Sequence, residues 1–441
     1  MFSIVETKEE LKRLLNFRKD PAYVELIPGN YNYHPRLTNC IGVYVFCLSS
    51  NQSYLLPIAH PDGIGLDKEL IKKILGKFKE LYVWDKKAFF YHFLLNNLTD
   101  VQLLISLNKY EKIDLPNFNS TINYYYNKFG NHSQVNSLIP ITKLIETCEN
   151  NLDILIPFFK FHKDISFDFY NNTATKVFYM LEQSGLRVTY EAFVNMFKPN
   201  NPSYNVLDNI SYTYYNLYNT TCRPTNSFNS INYAAIPHKD EYRKTIIPKN
   251  DKFVEYDFDG YHLRLLCNEI GYDLTEESAH TQIARLYYNK EEITQEEYVK
   301  AKQMNFQALY GNIPEEYKKL PLFIKIQEYI DKLWLEFNAI GSVLCPLSNR
   351  KYTEELKDMN PPKLMNYVMQ NLETSNNILI LKDVLNYLKD KSTSIALYTY
   401  DAILFDYNEE DGKDTLNDLK TIMSKEGKYP VNYKLSNNLV L

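Results

Sequence analysis

Lys302, Phe306 and Tyr310 recur at intervals of four, so on a helix they share one face. Gly311 then supplies a residue free to take positive φ where such a helix would end. A cation followed by two aromatic rings along one stripe can hold a triphosphate at one end and a base at the other. The same pattern also describes an amphipathic helix with an aromatic core stripe. Two acidic, strand-like segments bear on that choice. Phe253, Val254, Tyr256 and Phe258 form an apolar run with Asp257 inside it. Asp401 lies between the apolar runs 395–400 and 402–405, which predicts a hairpin with the carboxylate near its bend. A carboxylate in such a strand is costly to bury unless it is paired or binds a cation. Two of them on neighbouring strands can hold Mg²⁺ in the two-ion arrangement that transfers a nucleotidyl group. Either Asp taken singly also fits a strand-end or turn residue.

With these residues in view, the chain resembles the family A DNA polymerases. Asp257-Phe258-Asp259-Gly260-Tyr261-His262-Leu263-Arg264 is similar to the family's first palm motif, Asp-Tyr-Ser-x-x-Glu-x-Arg. Lys302, Asn305, Phe306, Tyr310 and Gly311 resemble the fingers motif, and Tyr400-Asp401-Ala402 resembles the second palm motif, His-Asp-Glu. Each motif is weak alone, but three in order at suitable spacing are specific. Weaker matches lie between them: Thr220 to Arg223 with Asn232, Ile236 and Pro237; Ala279-His280; and Asn366 with Gln370. The resemblance runs from about Phe178 to the C-terminus.

It implies a two-Mg²⁺ site held by Asp257, Asp401 and the Phe258 carbonyl. It makes Lys302 the neutralising cation on the triphosphate with His280 assisting, and Phe306 and Tyr310 the stack on base and sugar. Arg223, Asn366, Gln370 and Tyr400 would contact the primer–template, and His262 would face the nucleotide. Three departures matter. His262 stands where the family carries the Glu that gates against a ribose 2′-OH. Tyr298 replaces an Arg, with Lys300 nearby. Ala402 replaces the Glu after the second catalytic Asp. The first two put sugar selectivity and triphosphate affinity in question.

At 441 residues the chain is long enough for two or three domains. No apolar run approaches membrane-spanning length and the N-terminus lacks a signal-peptide pattern. The six Cys form no metal-type Cys-x-x-Cys pair, so reduced thiols and a cytoplasmic location are expected, the host's cytoplasm if the source is viral. A net charge of −5 excludes a generally basic nucleic-acid binder but not a local basic groove. The 38 Tyr with abundant Asn, Lys and Ile fit an AT-rich coding sequence, as in a phage.

The expected architecture is α+β: an antiparallel polymerase palm with helical fingers, preceded by an RNase H-like, exonuclease-type α/β domain. The exonuclease-like domain is assigned to 1–163 and the polymerase domain to 164–441, with palm 164–273 and 341–441 and fingers 274–340. In the first domain, a helix at 6–15, a hairpin at 41–47 and 53–60, and helices at 67–78 and 86–95 resemble a 3′–5′ exonuclease. Its acidic positions are degenerate: Leu26 and Pro28 follow Glu25, Phe89 or Phe90 stands for a helix Asp, and Asn150 and Asn151 precede Asp153. A structural remnant is expected, with Glu25, Asp85 and Asp153 as an unorthodox alternative site. The thumb is expected to be absent or reduced to a loop after Lys198, leading to a strand-like run at 209–218, so a processivity or replisome partner is a possible companion. The alternatives are an RNA polymerase or primase-like nucleotidyltransferase, and a non-catalytic replication scaffold.

Overall fold

In the computed structural model, described except at residues 1, 112, 114, 227–230, 238–239, 310–312, 314 and 316, the chain divides into two compact units. The first contains Met1–Tyr179, Phe197–Tyr214 and a short stretch ending at Ile231. The second contains Met180–Met196, Tyr215–Asn226 and Asn232–Leu441. The first unit therefore extends beyond 163 and takes in later segments.

Its centre is a six-stranded sheet of β1 (Phe2–Ile4), β2 (Ala22–Pro28), β3 (Cys40–Cys47), β4 (Gln52–Pro57), β5 (Leu81–Val83) and β6 (Leu98–Asp100), in the order β1-β4-β3-β2-β5-β6. β3 runs antiparallel to both β2 and β4, whereas β5 and β6 continue parallel to β2. Helices α1 (Lys8–Arg13), α2 (Lys68–Leu75), α3 (Lys86–Phe90), α4 (Val101–Lys109), α5 (Pro116–Phe129), α6 (Ile141–Leu155) and α7 (Ile165–Asp168) accompany the sheet. α1 starts at a capping box, in which Thr7 and Glu10 satisfy each other's backbone N–H groups. Val24, Val43, Val45, Leu56, Ile71, Leu75 and Phe89 fill one core.

α8 (Thr175–Leu181) leads to β7 (Leu186–Val188) and α9 (Tyr190–Phe197). Among the described residues between Phe197 and Asp240 there is no α-helix, but 3₁₀ turns, the small pair β8 (Val206–Leu207) and β9 (Ile210–Ser211), and a bridge between Asn216 and Thr225. The strand-like run expected at 209–218 is therefore a strand over Ile210–Ser211 alone. Side chains satisfy the backbone beyond it: Asn205 Nδ2 donates to the Tyr212 carbonyl (3.1 Å), His34 Nε2 to the Thr213 carbonyl (3.0 Å), and Glu182 accepts from the Tyr215 N–H (2.6 Å).

In the second unit, β7 pairs with β10 (Ile246–Ile247), which follows α10 (Asp240–Lys244). The main sheet is antiparallel, formed by β11 (Lys252–Phe258), β14 (Ser394–Thr399), β15 (Ala402–Tyr407) and β16 (Val431–Ser436) in the order β14-β15-β11-β16. The helices are α11 (Tyr261–Glu269), α12 (Ala279–Tyr288), α13 (Gln295–Leu309), α14 (Pro321–Ile340), α15 (Pro361–Tyr387) and α16 (Lys413–Ser424), and a two-stranded ribbon pairs β12 (Ser342–Leu344) with β13 (Lys351–Thr353). α15 starts at the Asn360 cap with Pro361 and Pro362 in its first turn. It packs against α11, α14 and α16 and is buried nearly all round, so even Asn371, Glu373, Thr374, Ser375 and Asn377 lie inside. None of the described helices is long and apolar enough to cross a membrane. All six Cys are buried and unbridged.

Candidate active site

The alternation of β11 buries Val254, Tyr256 and Phe258 on one face and, on the other, turns Asp257 out to solvent. Asp257 stands opposite Ala402 in the β11–β15 register, and the Phe258 N–H donates to the Asp401 carbonyl (3.0 Å). Asp401 occupies the second place of the two-residue turn joining β14 to β15. The first place is Tyr400 at φ 68°, a conformation usually left to glycine in such turns. Surrounding polar groups hold it there. Asn377 Nδ2 donates to the Tyr400 carbonyl (2.7 Å) and to the Tyr398 hydroxyl (2.9 Å), the Tyr261 hydroxyl donates to Asn377 Oδ1 (2.6 Å), and the Tyr215 hydroxyl brackets the backbone of Tyr398.

Neither Asp257 nor Asp401 forms an ion pair among the described residues. The surrounding protein, then the Asp401 charge, then Glu255 push Asp257 up to about 6, against the pull of Lys434 and Lys302. Asp401, exposed at its surface, is raised first by desolvation from the surrounding protein and second by the Glu373 charge, while His262 and Arg223 pull it back. Two unpaired carboxylates with acceptor oxygens only, each raised by neighbouring negative charge, are a donor set that fits a divalent cation.

Lys302 and Phe306 lie on the exposed side of α13, Phe306 with 43% of its surface open. Tyr310 and Gly311, the end of the expected stripe, lie outside the described residues. His280 is buried on α12, where its Nδ1 meets the Asn305 amide (3.1 Å) and its ring lies 6.0 Å from that of Phe306. Burial lowers His280 to about 4, with Asp259 opposing and Lys302 contributing. It is therefore a neutral imidazole at physiological pH, hydrogen-bonded to Asn305.

Arg264 joins this region to the sheet. Its Nε donates to the Asp259 carbonyl (2.9 Å), Nη1 to the Thr275 carbonyl (2.9 Å), and Nη2 to Asp259 Oδ2 (3.0 Å) and the Glu277 carbonyl (2.7 Å). Asp259 Oδ2 also accepts the Ala279 N–H at the start of α12 (2.8 Å). Gly260 takes φ 57°, and a Cβ there would come within 2.9 Å of the Ala279 Cβ, so glycine is what lets α12 approach.

Asn366 and Gln370 share a face of α15, with Gln370 Nε2 donating to Asn366 Oδ1 (2.8 Å). Arg223 points to Glu373 on that same helix, Nε to Oε2 at 3.1 Å, and its guanidinium covers the Tyr400 ring at 3.9 Å. His262 Nε2 lies 3.1 Å from Glu373 Oε1. Burial alone would push the Glu373 carboxyl up, but His262 and Arg223 hold it below its ordinary value. Glu373 was not anticipated from the sequence. Its signal is the run Asn366, Gln370, Glu373, Asn377, a polar stripe at intervals of four, three and four.

In the first unit the candidate nuclease acids are not brought together. Glu25 is buried, accepting from the Tyr23 hydroxyl (2.7 Å) and from Asn151 Nδ2 (2.9 Å). Asp85 caps α3 through the Ala88 N–H (2.9 Å) and accepts from the Tyr214 hydroxyl (2.5 Å). Asp153 is exposed on α6. Among the described residues, no group of three His, Cys, Asp or Glu could hold a metal ion.

No protein-family model matches the chain, and no curated protein matches its sequence. A solved structure does: the POL domain of Pol1 from M. smegmatis, in complex with DNA primer-template and dNTP, aligns with a TM-score of 0.69 and 12% identity over 99% of each chain. The chain has the fold of a DNA polymerase domain.

Proposed function

We propose that the chain is a template-directed DNA polymerase that extends a primer 3′-hydroxyl with dNTPs. The observation that carries this reading is the pair of carboxylates without ion pairs among the described residues, Asp257 on β11 and Asp401 in the adjoining β14–β15 turn, with the Lys302 charge acting on Asp257. Asp257, Asp401 and the Phe258 carbonyl would hold two Mg²⁺ ions, which when bound favour the ionised 3′-hydroxyl and offset charge on the departing pyrophosphate. Lys302 adds a fixed positive charge for the triphosphate. Phe306 offers an exposed ring one helical turn away for stacking on the incoming nucleotide. Asn366 and Gln370 offer amide donors to the minor groove, whose acceptors recur in similar places at every base pair. By the resemblance, His262 on α11 takes the place of the family's sugar gate. By this reading the first unit is an exonuclease-like domain that has lost its metal ligands.

The deciding experiment extends a labelled primer on a DNA template with dNTPs and Mg²⁺, beside rNTP and EDTA arms. Metal-dependent, template-directed extension with dNTPs is expected. Extension with rNTPs alone would make the enzyme an RNA polymerase, and extension with neither would leave a scaffold. A second outcome follows from Phe306. The family resemblance ties Phe at this position to rejection of nucleotides lacking a 3′-hydroxyl, so Phe306→Tyr should raise the ratio of dideoxynucleotide to dNTP incorporation by at least about tenfold. An unchanged ratio in a competition assay would mean that α13 does not face the sugar.

A further inference from the structure

A buried carboxylate without partners is expensive, and Glu373, 1% exposed, has two cationic or potentially cationic partners. Arg223 Nε lies 3.1 Å from its Oε2, and Arg223 Nη2 donates to Oε1 at 3.5 Å. His262 Nε2 approaches Oε1 at 3.1 Å. Both partners also lie beside Asp401: the guanidinium covers the ring of Tyr400, the preceding residue, and both side chains act electrostatically on Asp401 itself. Arg223 and His262 thus act on two carboxylates. Only one of these, Glu373, has a nitrogen of each at 3.1 Å.

We infer that Glu373 is a positioning residue that sequesters Arg223 and His262 from Asp401, leaving that carboxylate free for a divalent cation. Without the Glu373 charge, the guanidinium keeps its place over Tyr400 and its nearest anion becomes Asp401. An Asp401–Arg223 pair would then compete directly with the metal ion, because both need the same oxygens. The arrangement separates two tasks that one carboxylate could not perform together. Glu373 is enclosed and holds the guanidinium, while Asp401 is exposed and holds the ion. The inference rests on the polymerase reading only for what the bound ion does afterwards.

The test is Mn²⁺ binding by the full chain, read from the loss of the free-ion electron paramagnetic resonance signal, with folding checked by circular dichroism melts. Glu373→Gln should weaken binding by about tenfold or more, and adding Arg223→Met to it should restore affinity to within about threefold of the wild type. Removal of a merely structural residue would not be repaired by removing its partner. Wild-type affinity in Glu373→Gln overturns the inference, as does equal weakness in the single and double variants. If Glu373→Gln does not fold, the exchange His262→Glu with Glu373→His keeps every charge in the cluster. Wild-type Mn²⁺ affinity in the exchange supports the inference, and lost affinity overturns it. A wild-type chain that binds Mn²⁺ but extends no primer would sink the polymerase reading and leave this comparison standing. A wild-type chain that binds none would overturn the inference.

Discussion

Alanine at Asp257 or at Asp401 is expected to cut primer extension to below about one thousandth of the wild-type rate, with primer–template affinity within about threefold. Among the described residues the carboxylates carry no ion pair, so removing one breaks no salt bridge. Their proximity is instead a strain on the fold. Asp257 is raised to about 6 by its surroundings and by Asp401, so whatever stability its protonation lends is present at low pH and lost as pH rises through 6. The Asp257→Ala protein should therefore melt at or above the wild-type temperature at pH 7.5, with that gain vanishing near pH 4. Single-turnover extension, DNA anisotropy and thermal melts together check this. A variant that extends primers near the wild-type rate would show that the metal site lies elsewhere. One that loses activity together with its fold would show that Asp257 is structural.

Glu25→Gln should act on stability in the first unit and leave chemistry untouched. Glu25 is enclosed between β3, α6 and its own strand, and burial raises it from 4.5 to about 7, with the Tyr23 and Asn151 hydrogen bonds opposing. The sign follows from linkage. The folded state holds this proton more tightly than the unfolded state, so the contribution is complete below 4.5 and is lost as pH rises through 7. The loss amounts to about 3 kcal/mol, from a shift of about two and a half pH units at 1.36 kcal/mol each. Gln cannot ionise and keeps an oxygen for the Asn151 amide, so the variant should be more stable than the wild type at pH 8 and similar at pH 5, by denaturant titration. Neither protein should shorten single-stranded DNA from its 3′ end with Mg²⁺ or Mn²⁺. Metal-dependent shortening abolished by Glu25→Gln or Asp153→Ala would restore Glu25 to a catalytic role.

The parts of the fold legible in the sequence were those where one period dominates. The alternation in 252–258 and the paired apolar runs around Asp401 gave β11, β14 and β15, with the carboxylate at the bend. Lys302 and Phe306 do share the exposed side of α13. The run 209–218 was misleading because aromatic residues there imitate a strand while Asn205, His34 and Glu182 take up its backbone groups. The motif set His280 beside Lys302 but gave no sign that its ring is buried, because a motif reports residue type and not enclosure. Glu373 was missed for a related reason: the polar stripe Asn366, Gln370, Glu373, Asn377 that carries it reads by pattern as a solvated face, whereas Glu373 and Asn377 are buried.

The return of Phe197–Tyr214 to the first unit has a consequence for how the chain is made. His34 emerges from the ribosome well before residues 204–213, yet its buried ring donates to the carbonyl of Thr213, 179 positions later, and its own N–H to the carbonyl of Tyr204. Until those residues are translated, the nascent first unit holds unsatisfied polar groups that the finished protein encloses. Its completion therefore waits on synthesis of part of the second unit, since 180–196 must be threaded through first. No single break in the gene separates one unit from the other. A fragment starting near 164 or 180 would carry the 197–214 segment without the surface that receives it. The two units are inherited, and translated to completion, as one.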